Sequence, residues 1–347
     1  MAVKTWFITG TSRGFGREWA IAALDRGDMV AATARDIASL DDLAAKYGDA
    51  ILPIRLDVTD RGADFAAVKL AHDYFGRLDV VVNNAGYGQF GMVEEISESE
   101  IRAQLETNLL GALWVTQAAL PYLRGQGSGH IVQVSSIGGI SAFMNTGAYH
   151  ASKWALEGLS QSLAQEVAGF GVKVTLIEPS GYSTDWAGPS ARHAAELPAY
   201  EPVREQAARA RARRFTPGDP GATREAVLTL VDTPDPPLRL FLGEAPLGIA
   251  AADYESRLAT WRQWPGRPLL ADAAPPAGID RGAPRLTFRC LGRRRPRAAI
   301  GARSPAGTGS HPSRCPVVLR LGTGAAAGSG CPPAVAWRRG SRPGHRA

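Results

Sequence analysis

The stretch Thr5-Trp6-Phe7-Ile8-Thr9-Gly10-Thr11-Ser12-Arg13-Gly14-Phe15-Gly16 decides the fold of this 347-residue chain. It begins as an apolar run of strand length, and a helical pattern follows directly over residues 16–26. Its three glycines let the backbone turn sharply and come close to a ligand. A helix that begins at such a turn offers amide groups and positive partial charge to a phosphate. The stretch therefore predicts a bound nucleotide.

Apolar runs of strand length alternate with amphipathic segments of helix length along residues 1–264. This alternation is typical of a doubly wound parallel sheet, whose strands are buried on both faces and joined by helical crossovers. We therefore predict a three-layer α/β Rossmann fold with helices on both faces of the sheet. The predicted strands are 5–9, 29–34, 51–56, 80–83, 129–134, 172–177 and 238–242, and the predicted helices include 16–26, 37–47, 63–75 and 101–123.

Charge and composition change near residue 264. Residues 265–347 hold 15 arginines, no lysine and two acidic residues, so this tail carries about +13 and residues 1–264 about −7. About 30 per cent of the tail is glycine or proline. We predict a disordered tail, because this composition cannot bury enough apolar surface to offset its ordering entropy. Its residue usage also suggests that it is the product of a shifted reading frame.

Several classes of protein are not expected. All three cysteines, Cys290, Cys315 and Cys331, lie in the tail, so no disulfide framework or metal site is predicted for residues 1–264. With no secretory signal and no apolar run of about 18 residues, we expect a cytoplasmic protein with no membrane partner. The tail lacks a folded motif and regularly spaced aromatic residues, so we expect no nucleic-acid partner either.

The glycines of the opening turn are spaced as Gly10, Gly14 and Gly16, a TGxxxGxG pattern. We expect Gly10 to form the sharp turn and Gly14 to admit a pyrophosphate close to the backbone. Gly16 would let the helix pack tightly on the strand.

The end of the second predicted strand bears on which nucleotide is bound. An acidic residue there would accept a hydrogen bond from a ribose 2′-hydroxyl and favour NAD. Ala34 holds the expected position, Arg35 follows it, and Arg13 lies in the glycine turn. Two guanidinium groups favour a 2′-phosphate, so we predict NADP(H) as the preferred cofactor. NAD(H) stays open, because a register shift of two residues would place Asp36 at the ribose.

Two further loops follow predicted parallel strands and are expected at the same site. In Leu56-Asp57-Val58, the Asp57 carboxylate is a candidate to bind the adenine amine. Asn83-Asn84-Ala85-Gly86 contains residues that tolerate positive φ, which fits either a plain turn or the wall of a cofactor site. Its place after the fourth strand favours the wall.

Tyr149 and Lys153 are four residues apart and lie on one face of a predicted helix. A neighbouring ammonium stabilises phenolate and would lower the pKa of the tyrosine from about 10 toward 7, where it exchanges protons with a carbonyl or alcohol. Ser136 ends a buried strand 13 residues before the tyrosine and is preferred over Ser135 to orient the substrate oxygen. The three residues predict an acid–base site.

Together these motifs resemble the single-domain short-chain dehydrogenase/reductase family. TGTSRGFG, LDV, NNAG, the asparagine of Glu106-Thr107-Asn108, IVQVSS, YHASK and the segment 178–184 occur in that family's order and spacing. The resemblance covers about residues 1–245 and implies an oxidoreductase that transfers a hydride between NADPH and a carbonyl or alcohol substrate. It also implies a dimer or tetramer.

The resemblance implies a role for each matching residue. Tyr149 would be the general acid/base, Ser136 would polarise the reacting oxygen, Lys153 would bind the nicotinamide ribose, and Asn108 would hold a water of the proton relay. Ser180 departs from the family's usual glycine and would be strained if its φ were positive. The cofactor-binding residues expected in all are Gly10, Ser12, Arg13, Gly14, Phe15, Gly16, Arg35, Asp57, Val58, Asn84, Ala85, Gly86, Tyr149, Lys153, Pro179, Gly181 and Thr184.

Residues 185–214 have the length of a lid over the substrate. Trp186 and Tyr200 are expected either to pack or to contact substrate, and the arginines at 204–214 to lie on the solvated face of a helix rather than bind an anion. His72, His130 and His150 are expected to have no catalytic role. Two other functions stay open: an NADP-binding regulatory protein without turnover, which the complete catalytic set argues against, and the same enzyme using NAD.

Overall fold

The structure is a computed structural model that describes residues 2–214 and 216–263. Its strands form one large sheet and one short pair. They are β1 (Thr5–Ile8), β2 (Met29–Ala34), β3 (Ile51–Arg55), β4 (Val80–Asn83), β5 (Gln89–Phe90), β6 (Gly129–Val134), β7 (Val172–Pro179), β8 (Arg192–His193) and β9 (Arg239–Leu242).

The large sheet is parallel throughout, with the spatial order β3-β2-β1-β4-β6-β7-β9. Phe7 of β1 pairs with Ala31 of β2 on one side and with Val81 of β4 on the other. The strand order reverses at this point, and open α/β sheets bind ligands at the carboxyl ends of the strands beside such a reversal. The predicted strands are confirmed, three with matching bounds and the others within two residues at either end.

Helices connect successive strands of the large sheet. The helix predicted over 101–123 is divided, because a π-helical segment over Glu106–Leu110 separates two α-helices. The helices are α1 (Gly14–Asp25), α2 (Asp41–Tyr47), α3 (Arg61–Phe75), α4 (Glu98–Leu105), α5 (Gly111–Gln126), α6 (Gly147–Val167), α7 (Glu201–Arg214), α8 (Arg224–Asp232) and α9 (Ala245–Gln263).

The core lies in two layers, one on each face of the large sheet. Successive strand residues face opposite layers. Trp6 and Ile8 pack against the layer formed by α1, α2 and α8, whereas Phe7 packs against α3, α5 and α6. The fully buried Trp19 of α1 also donates a hydrogen bond of 2.8 Å from Nε1 to Oγ1 of Thr223. The predicted three-layer Rossmann fold is confirmed.

The predicted disordered tail, residues 265–347, lies outside the described residues, and so do its three cysteines. In the part of the chain that the structure describes, no helix combines the length and the apolar character needed to cross a membrane.

Candidate active site

A cleft of about 1090 Å³ opens at the carboxyl ends of the strands where the strand order reverses. Ser136, Tyr149 and Lys153 line it at one end and Arg35 at the other. Sixteen of the seventeen predicted cofactor-binding residues line the cleft, and Gly16 is the exception.

The glycine turn leaves the start of α1 open to the cleft. Gly10 and Gly14 have φ values of 70° and 59°, which L side chains rarely adopt. Arg13 precedes α1 without a side-chain capping bond, and the first turn of the helix has no acidic residue. The first amides of α1 are therefore available to an anion. Gly16 instead serves packing, as predicted, because a Cβ there would lie 2.4 Å from Nδ2 of Asn84.

Arg35 lines the cleft at the end of β2, whereas Asp36 does not. The Asp36 carboxylate accepts a hydrogen bond of 3.2 Å from the amide of Ala38 and so caps the turn that follows. This arrangement argues against the register in which Asp36 reaches the ribose. Arg13 forms an exposed ion pair of 2.9 Å with Asp185 of the lid segment, residues 185–214.

Asn84 joins the end of β4 to the glycine turn. Its Nδ2 donates hydrogen bonds of 2.9 Å to the carbonyl oxygens of both Thr9 and Gly10. A Cβ on the nearby Gly86 would lie 3.0 Å from Oδ1 of Asn108 and 3.8 Å from Nζ of Lys153. The NNAG motif thus forms the wall of the cleft, and a glycine there leaves space beside the lysine.

Three predicted catalytic side chains meet in the cleft. Tyr149 and Lys153 share one face of α6 and are both buried. Lys153 donates a hydrogen bond of 2.7 Å from Nζ to the carbonyl oxygen of Val134, the last residue of β6. Ser136 follows the same strand and accepts a hydrogen bond of 3.0 Å from the amide of Gly138. Its hydroxyl acts to lower the pKa of the Tyr149 phenol.

The expected lowering of the pKa of Tyr149 is wrong for this structure. Burial raises the pKa of Tyr149 to about 12, although the Ser136 hydroxyl and the charge of Arg211 act in the opposite direction. Burial also lowers the pKa of Lys153 to about 8, against the effect of the Glu157 carboxylate. Nζ of Lys153 lies 5.8 Å from the centre of the Tyr149 ring. The phenol therefore stays protonated at neutral pH.

Asn108 lies in the π-helical segment and is buried, but it does not line the cleft. Its Oδ1 accepts a hydrogen bond of 3.1 Å from the amide of Tyr87, and its Nδ2 donates bonds of 3.0 Å to the carbonyl oxygen of Tyr87 and 3.2 Å to Ser152. Single π-helical turns occur often at functional sites. In this structure Asn108 fixes the backbone that follows Gly86, and its predicted contact with a relay water stays a prediction.

Ser180 is not strained. Its φ is not positive, since Asn145, at 68°, is the one non-glycine residue with a positive φ in the described part of the chain. The Ser180 amide donates a hydrogen bond of 3.1 Å to the carbonyl oxygen of Leu242. The serine therefore fits the loop that brings Pro179 and Thr184 to the cleft.

Of the two aromatic residues singled out in the lid segment, Trp186 lies in the cleft and Tyr200 lies outside it. The Trp186 ring meets the Tyr149 ring edge-on, with centres 4.8 Å apart, and it lines the cleft. Tyr200 lies outside the cleft and donates a hydrogen bond of 2.6 Å to the Glu94 carboxylate. Trp186 is thus placed to contact substrate, whereas Tyr200 fastens the lid segment to the body of the protein.

The expectation that the arginines of α7 lie on a solvated face is wrong at two positions. The Arg204 side chain is only 15% exposed and makes two hydrogen bonds of 3.1 Å to the Glu95 carboxylate. Arg211 is half-buried and lies over the Trp186 ring, 5.0 Å from its centre. Arg209 is exposed and pairs with Glu205, as a solvated residue would. The error arose because the partners of Arg204 and Arg211 come from distant parts of the chain.

His130 and His150 have structural partners, and the prediction that they have no catalytic role stays a prediction. His150 accepts a hydrogen bond of 2.8 Å at Nε2 from the amide of Phe143, and its Nδ1 lies 2.8 Å from the carbonyl oxygen of Gly138. His130 lies 3.0 Å from the Thr175 hydroxyl, and burial lowers the pKa of His130 to about 4. Across the described ranges, no three His, Cys, Asp or Glu side chains are grouped so as to hold a metal ion.

Several cleft residues were missed in the sequence. Some have a local signal in the sequence, because Tyr87 directly follows the NNAG motif and Phe90 comes three residues later. Phe143 and Asn145 belong to the loop before α6 and have no motif of their own. The missed lining residues include Tyr87, Phe90, Phe143, Asn145, Tyr182 and Arg192.

The chain is similar to known oxidoreductases and dehydrogenases. The oxidoreductase BOA17 of Botryotinia fuckeliana is 44% identical over 266 residues, which cover 75% of this chain and 96% of that protein. A solved short-chain dehydrogenase from Streptomyces avermitilis is 40% identical, with a TM-score of 0.71 over 76% of this chain and 96% of its own. An alcohol dehydrogenase from Thermococcus sibiricus, solved with 5-hydroxy-NADP, is 27% identical, with a TM-score of 0.59 over 70% of this chain and 96% of its own.

The profile of the short chain dehydrogenase family matches residues 4–195, more than half of the chain. This span contains the glycine turn, the NNAG wall, Ser136, Tyr149 and Lys153. The protein is therefore an oxidoreductase that belongs to the short chain dehydrogenase family.

Proposed function

We propose that this protein is an NADP(H)-dependent oxidoreductase that reduces a carbonyl group, with Tyr149 as the proton donor. One observation carries the proposal. The protonated phenol of Tyr149, with Ser136 and Lys153 beside it, lies in the wall of a cleft that reaches Arg35 and the open start of α1.

The donors of the cleft fit a dinucleotide that carries a 2′-phosphate. The uncapped amides of α1 suit a pyrophosphate. Gly14, whose φ is positive, has no side chain that could cover these amides. Arg35 supplies a guanidinium just after β2. Arg13 can supply a second one, because its ion pair with Asp185 is exposed and such pairs are weak enough to break. The NADP derivative in the solved Thermococcus sibiricus enzyme supports this preference.

The catalytic residues act on the oxygen of the substrate. When bound, NADPH supplies the hydride that the carbonyl carbon accepts. Tyr149 donates its phenolic proton to the carbonyl oxygen, and Ser136 donates a hydrogen bond that orients the same oxygen. The Lys153 ammonium stabilises the phenolate that remains on Tyr149. Trp186 covers the phenol and limits the access of water to it.

The protonation state of Tyr149 suits the role of proton donor. A pKa of about 12 keeps the phenol protonated at neutral pH, so it is ready to donate a proton to a carbonyl oxygen.

A substrate panel tests the proposal. The full chain is incubated with NADPH or NADH and a series of aldehydes, ketones and quinones, and the loss of reduced cofactor is followed by absorbance. We expect turnover with a clear preference for NADPH. Tight binding of NADPH without turnover of any carbonyl, or of any alcohol with NADP⁺, would instead favour a regulatory protein that only binds the nucleotide.

A further inference from the structure

Two arginines on one face of α7 have very different surroundings. Arg204 and Arg211 are seven residues apart, which is two helical turns. Arg204 is neutralised by Glu95, with Glu196 and Glu201 also within 3.6 Å. In the described part of the chain, the ion pairs of α7 belong to Arg204 and Arg209, and Arg211 has no carboxylate partner.

Arg211 lies close to the reacting atoms. Its guanidinium carbon lies 5.0 Å from the centre of the Trp186 ring and 5.6 Å from that of Phe90. The Trp186 ring in turn meets the Tyr149 ring at 4.8 Å. One indole therefore separates the guanidinium from the catalytic phenol, and the charge of Arg211 acts on the pKa of Tyr149.

A second cation lies beside the first on α7. The Arg214 guanidinium carbon is 4.5 Å from the centre of the Phe143 ring, and both residues line the cleft. Arg214 is three residues after Arg211, so the two side chains leave the helix on neighbouring positions. Both guanidinium groups thus lie over aromatic rings on the substrate side of the cleft.

The charges that line the cleft are unbalanced. Among the described residues, the lining includes six arginines and Lys153 and three acidic residues, Asp57, Glu106 and Asp185. One of the arginines, Arg204, is neutralised by carboxylates outside the lining. Asp185 is paired with Arg13, and the Asp57 carboxylate accepts bonds from Thr59 at the cofactor end. Burial lowers the pKa of Arg211, which reflects the cost of removing its charge from water without a partner. An anion in the cleft would relieve that cost.

We propose that the carbonyl substrate carries an anionic oxygen group, a carboxylate or a phosphate, and that Arg211 binds it with Arg214 beside it. This inference rests on the proposed carbonyl reduction. A guanidinium presents paired N–H donors that match two oxygens of either group. The indole of Trp186 would lie against the part of the substrate that joins the anion to the carbonyl.

Three para-substituted benzaldehydes test the proposal. 4-Formylbenzoate and 4-formylphenyl phosphate carry an anion one ring away from the carbonyl, whereas methyl 4-formylbenzoate is neutral. The kcat/KM of each is measured with NADPH for the wild-type chain, for Arg211→Met, which keeps an apolar stem on Trp186, and for Arg209→Met as the control on the same helix. Calorimetry of benzene-1,4-dicarboxylate binding to each NADPH-loaded protein gives a readout without turnover.

We expect the wild-type chain to prefer an anionic aldehyde over the ester by about 10- to 100-fold. Arg211→Met loses most of this ratio and binds the dicarboxylate correspondingly more weakly, whereas Arg209→Met keeps both properties. The better of the two anionic aldehydes identifies the group as carboxylate or phosphate. The ratio cancels any effect of Arg211 on Tyr149, because that effect is common to all three aldehydes.

Other results overturn the proposal. One such result is a wild-type ratio of kcat/KM, anionic aldehyde to ester, near one. Another is a ratio and a dicarboxylate affinity that are unchanged in Arg211→Met. Either would mean that the Arg211 guanidinium only packs on the Trp186 ring. If no aldehyde is reduced but the dicarboxylate binds and Arg211→Met weakens this binding, the anion site stands and the proposed reaction fails. Neither turnover nor binding would reject both.

Discussion

The guanidinium of Arg204 makes two hydrogen bonds of 3.1 Å to the carboxylate of Glu95, a residue 109 positions earlier in the chain. The same carboxylate accepts hydrogen bonds of 2.7 Å from the amide of Met92 and 2.8 Å from that of Leu197. These contacts lower the pKa of Glu95 to about 2 and keep it charged at any physiological pH. Glu95 thereby joins α7, and with it Arg211, to the body of the protein.

Glu95→Gln should loosen the lid segment. The amide side chain cannot neutralise Arg204, so the cation would keep only the exposed carboxylates of Glu196 and Glu201, at 3.5 and 3.6 Å. We expect faster amide hydrogen exchange over residues 197–214, unchanged exchange in β1 and β4, and a KM for substrate raised about tenfold. Glu94→Gln is the control, because Glu94 is exposed and its one hydrogen bond to a described residue is with Tyr200, whose hydroxyl a glutamine can still accept from. Equal exchange in the two variants would contradict this role of Glu95.

Arg35→Ala should reduce the preference for NADPH. Loss of a charge-assisted hydrogen bond to the 2′-phosphate lowers the ratio of kcat/KM for NADPH to that for NADH by about 10- to 100-fold. Asp36→Asn is the matched control, since Asp36 caps a turn and does not line the cleft. A ratio that changes in Asp36→Asn but not in Arg35→Ala would place the ribose at Asp36 and favour NAD.

Asp64→Asn should stabilise the protein at alkaline pH. Asp64 is buried on α3 with no hydrogen-bond partner for its carboxylate oxygens, and burial, then the charges of Asp60 and Asp57, raise its pKa to about 8. Between the unfolded value of 3.8 and about 8, the folded state binds more protons, so the free energy of unfolding falls as pH rises through this window.

Asparagine removes this dependence. We expect Asp64→Asn to gain about 4 kcal/mol relative to wild type between pH 5 and pH 8, as measured by urea unfolding. Asp73→Asn, at an exposed position of the same helix, serves as the control. A difference between Asp64→Asn and wild type that is independent of pH would refute the assignment.

Reduction should slow as pH rises through about 8. In the proposed mechanism the Lys153 ammonium stabilises the phenolate left on Tyr149. The lowered pKa of Lys153, about 8, means that this charge is lost above that pH. The pH dependence of kcat/KM for NADPH reports the pKa values of groups in the free enzyme. We expect this kcat/KM to fall tenfold per pH unit above the pKa of Lys153. Glu157→Gln should move the fall to lower pH, because the Glu157 carboxylate raises the pKa of Lys153. A flat profile to pH 10 would exclude Lys153 as the controlling group.

The sequence predicted the fold and most of the cleft because both depend on local signals. The strand 80–83 is an apolar run, and the glycine turn follows the first strand directly. The π-helical turn at Asn108 was missed, because one wider turn within a helix does not visibly change the spacing of the apolar residues. The short strands β5 and β8 were missed too, because two residues carry no periodicity.

The lid segment was the part least predictable from sequence. A helix of Glu, Arg and Ala looks solvated when its partners are unknown, and the Glu95 that neutralises Arg204 lies on a different element. The pKa of Tyr149 depends on burial by the same segment, so its direction could not follow from the spacing of Tyr149 and Lys153 alone. The predicted dimer or tetramer and the cytoplasmic location stay predictions.

The most direct test of the account compares Tyr149→Phe with Tyr200→Phe in NADPH oxidation with the best carbonyl substrate. Each substitution removes one phenolic hydroxyl, but only Tyr149 lines the cleft. We predict that Tyr149→Phe binds NADPH as wild type does and loses kcat by about 10²- to 10⁴-fold, while Tyr200→Phe keeps most of it. A Tyr149→Phe variant that folds, binds NADPH and turns over at the wild-type rate would contradict Tyr149 as the proton donor.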